Sequence, residues 1–174
     1  MKDAKLGLQR GIVILLRHQP AWSEAFKVEK SQLQTALGNL PIEHVGSTAV
    51  NGLVAKPIID IAVAVDSFAE VERLIVPLSA LGYEYKGEAG TPGRRLFVKG
   101  PAEKRTVYLH FGLPDGEYGS LIKFRDILRT RPDLIKAYND LKQTLATKFA
   151  KDRKAYTSGK SELIQAVLVQ FKDE

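Results

Sequence analysis

The stretch VGSTAVNGLVAKPIIDIAVAV, Val45–Val65, joins a Gly-Ser turn to an apolar run that carries one acid, Asp60. Ile58, Ile59, Ile61, Val63 and Val65 are β-branched and nearly continuous, which predicts a strand covered on both faces. The preceding IEHV predicts a short strand that ends at Gly46-Ser47. Asn51-Gly52 and Pro57 mark the connection between the two strands as a turn-rich loop. Two strands joined this way bring the turn and Asp60 to one end of a sheet.

Working outward, GIVILL (Gly11–Leu16) reads as a further strand, closed by the breaker RHQP. AWSEAFKVEKSQLQTAL, from Ala21 to about Leu37, puts Trp22, Ala25, Phe26, Leu33 and Leu37 mostly on one helical stripe, and Gly38-Asn39 ends it. After the Asp60 strand, Ser67 is placed to cap a helix, FAEVERLIVPLSALG, with Glu70 as its capping-box partner and Pro77 to kink or divide it. YEYKG and RRLFVKG read as strands around the glycine-rich loop Gly87–Gly93, and TVYLHFG (Thr106–Gly112) as another. From Ser120 the pattern is helical. Pro132 separates two helices, and Leu134, Tyr138, Leu141, Leu145 and Phe149 follow one face. A last helix begins after the break YTSGK, with Leu163, Ile164, Val167, Leu168 and Phe171 inward. The expected class is α+β: one domain over 1–174, with a mixed α/β core at about 1–117 and a helical tail, 118–174, packed on it.

Composition narrows the chemistry. At 174 residues, 44% hydrophobic and 26% charged, the chain can bury a core without staples. It has no cysteine, which excludes disulfides, thiolate metal sites and thiol nucleophiles. GIVILL is too short for a signal core or a membrane span, so a soluble, cytoplasmic protein that meets no membrane is expected. The net charge of +6 is uneven: residues 118–174 hold 12 Lys/Arg against 7 Asp/Glu. A basic tail favours a polyanionic ligand such as a nucleotide, or nucleic acid. Interspersed signs and few aromatics speak for a solvated face, and against RNA.

Nucleotidyl or phosphoryl transfer needs groups that hold phosphate oxygens, carboxylates that fix Mg²⁺, and cations near the reacting phosphorus. Gly46 lets backbone approach a phosphate, Ser47 adds a hydroxyl and an N–H, and Asp60 is a hard oxygen ligand. The stretch IEHVGSTAVNGLVAKPIIDIAVAV, together with PAWSEAFKVEKSQL, YLHFG, FRDILRTRPDLIKAYNDLK and YTSGK, resembles the GrpB family of the nucleotidyltransferase superfamily. The resemblance implies a small mixed β-sheet of nucleotidyltransferase type, flanked by helices. It also implies a transferase that moves a nucleoside monophosphate from an NTP to an unknown small or macromolecular acceptor with Mg²⁺ or another divalent cation. By the same resemblance Gly46 and Ser47 form the phosphate turn and Asp60 is the first metal acid. The chain departs from the pattern where the second acid belongs, which is Ala62, and on the later strand, which offers His110. Asn51 stands where the family string VPGL carries proline. A non-catalytic nucleotide-binding module with a degenerate metal site is the alternative.

Asp60, His110 and Ser47 are therefore the candidate catalytic residues, and Asp60 and His110 the candidate metal ligands. His110 is equally read as a general base. Gly46, Ser47, His44, Lys56, Arg94, Arg95 and Lys160 are the candidate nucleotide contacts. Each has a plainer reading. Asp60 can pair with Lys56 or Arg105, and His44 can be a structural histidine. Only one of Arg94 and Arg95 can face the site, because strand neighbours alternate. Lys160 opposes a helix dipole unless something anionic lies near it.

Overall fold

The computed structural model describes residues 6–172. In chain order these form α1 (Ala21–Leu37), β1 (Ile42–Val45), β2 (Ile59–Ala64), α2 (Phe68–Ala80), β3 (Tyr83–Tyr85), β4 (Arg94–Lys99) and β5 (Val107–Gly112). Four helices follow: α3 (Glu117–Thr130), α4 (Pro132–Lys148), α5 (Arg153–Ser158) and α6 (Ser161–Gln170). The class is α+β, with a five-stranded sheet ordered β1-β2-β5-β4-β3. β2 and β5 are parallel at its centre, and the outer pairs are antiparallel.

The alternation along β2 sorts its side chains between two layers. Ile59, Ile61 and Val63 enter the main core with Trp22 and Leu33 of α1 and Val71 and Leu78 of α2. Asp60, Ala62 and Ala64 belong to the opposite face, where α3 packs across β1, β2 and β5. Register then fixes the neighbours of Asp60: it stands opposite Val45 on β1 and Tyr108 on β5, while Ala62 stands between Glu43 and His110.

Four local expectations are corrected. GIVILL forms no strand among the described residues. Its only ladder contact is an isolated bridge from Leu16 to Ala55, and the Val13 N–H donates to the Ala150 carbonyl at 2.8 Å, so the helical tail occupies this backbone. Val13 packs with Leu145 and Tyr156, while Ile14 is 51% exposed. Pro77 does not divide α2, which runs on to Ala80. The carbonyl it orphans is four residues back, at exposed Arg73, where water can serve it. Ser67 holds the N-cap position of α2 but its side chain makes no cap bond. The YTSGK break is shorter than expected: α5 includes Tyr156–Ser158, because Asp152 caps it by accepting from the Ala155 N–H at 3.0 Å.

Among the described residues no helix is long and apolar enough to cross a membrane.

Candidate functional site

The covered face of the sheet and the helical tail enclose a cleft of about 510 Å³. Gly46, Ser47, Lys56, Asp60, Arg94, His110 and Lys160 all line it, so seven of the expected site residues come together. Gly46 follows β1 with φ 70° and ψ −172°, turning the chain back over β2. A Cβ there would fall 2.8 Å from Asp60 Oδ2, so the turn closes directly on the acid. Asp60 Oδ1 accepts from His110 Nε2 at 3.0 Å, and the acid's side chain is 30% exposed. Burial works to raise this carboxyl. The His110 contact, with Lys56 and Lys160, outweighs it and holds the group below its ordinary value.

The cations form two sets. Arg153 is fully engaged: it donates to the Tyr108 hydroxyl at 2.7 Å, to the Ile12 carbonyl at 3.2 and 2.9 Å and to the Gln9 carbonyl at 2.8 Å. Arg94 donates to the carbonyls of Glu88 and Ala89. Lys56 and Lys160 differ from both. Their ammonium groups lie over the Tyr156 ring, 5.6 and 4.9 Å from its centroid. Burial and then the Lys160 charge push Lys56 down to about 7, against the pull of Asp60. Burial lowers Lys160 as well, again opposed by Asp60.

Two expected contacts lie elsewhere. His44 stands opposite Ile61, on the core side of the sheet. It stacks on Phe26 at 4.7 Å, shares a 3.0 Å hydrogen bond with Thr48, and burial pushes its imidazole down to about 4. Arg95 also faces the core side, where its guanidinium covers the Phe68 ring at 4.4 Å and pairs with Glu88 at 3.2 Å. Alternation put Arg94 in the cleft and took Arg95 out of it. Arg105, a possible partner of Asp60, instead meets Glu84 at 3.3 Å.

Sequence reasoning missed Lys142. It is only 1% exposed, and its ammonium donates to Ser47 Oγ at 3.1 Å and to the Val54 carbonyl, with the Tyr138 ring 4.5 Å away. Burial, then the charges of Lys160 and Lys56, push it down to about 7. It ties α4 to the Gly46-Ser47 turn. The only hint in the sequence was a lysine four residues from Tyr138 beside an apolar stripe.

The donor set does not suit a magnesium site. Ala62 supplies no ligand, and Glu43, directly opposite it, is held by Arg125 Nη1 at 2.7 Å. Asp60 has one oxygen on His110 and the other against Gly46, while His110 Nδ1 is buried. Among the described residues no group of three or more His, Cys, Asp or Glu side chains can hold a metal. Mg²⁺ requires several hard oxygens in octahedral array, and this cleft presents mostly cations.

A five-stranded mixed sheet under a helical tail, with the Gly-Ser turn beside a strand acid, defines a nucleotidyltransferase-type fold. Cid1 poly(U) polymerase, solved with Mg and 3'-dATP, shares that fold at TM-score 0.54 and 13% identity over 76% of this chain and 43% of its own. The chain belongs to the GrpB protein family, which it matches over residues 12–170. The crystal structure of GrpB from Enterococcus faecalis superposes with TM-score 0.80 at 37% identity, covering 90% of this chain and 96% of that one. A UPF0157 protein of Pseudomonas aeruginosa is 41% identical over 88% of this chain, which spans 65% of that protein's length. The glutamate-rich protein GrpB of Alkalihalophilus pseudofirmus is 36% identical over 94% of this chain and 98% of its own.

Proposed function

We propose that this chain binds a nucleotide through its phosphates in the cleft. The observation that carries the reading is the convergence of the Gly46-Ser47 turn, Lys56, Arg94 and Lys160 on one cavity. Those are backbone, hydroxyl and cationic groups suited to phosphate oxygens. Leu53, Leu121, Phe124, Leu128, Ile164 and Leu168 also line the cleft and give it apolar surface that suits a base. The fold shared with Cid1 supports the same ligand class.

Transfer of a nucleoside monophosphate to an acceptor is the second reading. The fold and the 3.0 Å contact between His110 and Asp60 favour it, and the missing second acid weighs against it.

Thermal shift with each NTP tests the first reading: stabilisation is expected in at least one case, and no shift with any nucleotide, with or without Mg²⁺, overturns it. Asp60→Asn separates the two. The amide keeps an oxygen for His110 Nε2 but removes a negative charge from a cation-rich cleft. For a binding module, nucleotide affinity is expected to rise about threefold, a gain of about 0.7 kcal/mol. For a transferase, pyrophosphate release by the wild type is expected and falls in the variant.

A further inference from the structure

Lys56 and Lys160 are the two cleft cations whose partners the fold does not supply. Among the described residues neither ammonium donates a hydrogen bond or closes an ion pair, and each rests on the Tyr156 ring. That ring belongs to a residue only 1% exposed, so it is a fixed point that holds both lysines near one place. The two charges oppose each other, and Asp60 is the acid that attracts both. Asp60 is already engaged by His110 and covered by Gly46. Two desolvated ammonium groups, 5.6 and 4.9 Å from one ring centroid and both lining the cleft, leave a site for an anion with more than one negative charge.

We propose that the cleft takes its nucleotide as a metal-free di- or triphosphate, with Lys56 and Lys160 neutralising the charge that a divalent cation meets in a carboxylate-built site. This inference rests on the nucleotide reading above. The geometry supports it from both sides. Ala62 stands where the second acid belongs, Glu43 is held by Arg125, Asp60 by His110, and Glu117, the other acid lining the cleft, acts on Arg94, while the cations that render the ion unnecessary stand at the cavity wall. Nucleotide in excess Mg²⁺ is largely complexed, so the metal competes with this site for its ligand.

Isothermal titration with ADP and ATP, in EDTA and then in excess Mg²⁺, tests it. Binding in EDTA is expected, weakened by Mg²⁺ about threefold or more. Lys56→Met and Lys160→Met each lose about tenfold in EDTA, with folding checked by circular dichroism. Methionine removes a buried charge and keeps the stem's shape, so these variants are expected to stay folded. Binding that requires Mg²⁺ overturns the metal-free proposal and leaves the nucleotide reading intact. Binding in EDTA that both lysine variants retain also overturns it. No binding in either condition overturns both.

Discussion

Replacing Lys142 with methionine is expected to stabilise the protein at neutral pH, by an amount that falls as pH rises. Lys142 is 1% exposed and its amine is pushed down from 10.5 to about 7, chiefly by burial. A drop of that size corresponds to a cost on the order of 5 kcal/mol for carrying the charge inside. Methionine removes that cost. It also leaves the Val54 carbonyl without its lysine donor and takes one bond from Ser47, together costing about 2–3 kcal/mol. The net gain at pH 6 to 7 is therefore about 2 kcal/mol.

The pH dependence has a definite sign. Below pH 7 the lysine is protonated in both the folded and unfolded chain, so the full cost is present. Between 7 and 10.5 the unfolded chain holds a proton that the folded chain has released, so wild-type stability rises with pH. Lys56, also pushed down to about 7, works in the same direction. Each contributes about 1.4 kcal/mol per pH unit at most. The variant loses the Lys142 contribution and keeps those of Lys56 and Lys160, so its slope between pH 7.5 and 9 is shallower than that of the wild type by up to about 1.4 kcal/mol per pH unit. Urea unfolding at pH 6.5, 7.5, 8.5 and 9 measures this. Equal slopes in the two proteins would show that Lys142 carries no displaced proton. The expected functional consequence is opposite in sign, because the same change frees Ser47 and loosens α4 from the turn. A buried lysine kept at the expense of stability is the pattern of a site residue.

Local patterns were read well where they depend on near neighbours in the chain. The stripe from Trp22 to Leu37, with its glycine stop, located α1 at Ala21–Leu37. The β-branched run around Asp60 gave the central strand, and the Gly-Ser turn beside it gave the end of the sheet where the cleft lies. Readings that depend on pairing were less legible. His44 and Asp60 lie on neighbouring strands, and only the register that places His44 opposite Ile61 sends them to opposite faces. GIVILL has strand-forming residues, but the tail takes up its backbone through Ala150, more than a hundred residues away in sequence. Lys142 stands 95 residues from the serine it touches, and no local pattern connects them. The sequence named Lys56, Arg94 and Lys160 one by one, whereas the way the tail folds back to set Lys160 and Lys142 beside the opening stretch has no local signal.

Gly46→Ala is expected to cost about 3–4 kcal/mol, and Gly38→Ala about 1–2 kcal/mol. Both glycines have positive φ, 70° and 58°, with ψ of −172° and −125°, so both substitutions strain the backbone by about 1–2 kcal/mol. Their surroundings separate them. A Cβ on Gly38 meets nothing within 4 Å, whereas one on Gly46 lies 2.8 Å from Asp60 Oδ2 and 3.0 Å from Asp60 Cβ. The acid cannot yield easily. It sits inside a strand paired on both sides, at Val45 and Tyr108, and its other oxygen is held by His110 at 3.0 Å. Relief must come from lifting the Gly46-Ser47 turn, which breaks the contact between Ser47 and Lys142, or from turning Asp60 off His110. Either movement disturbs the cleft, so nucleotide affinity is expected to fall along with stability, while Gly38→Ala leaves affinity unchanged. Unfolding midpoints and titration calorimetry on the two variants measure both effects. If Gly46→Ala lost no more stability than Gly38→Ala and still bound nucleotide, the turn would not be closing on the acid, and the cleft would owe its shape to other residues.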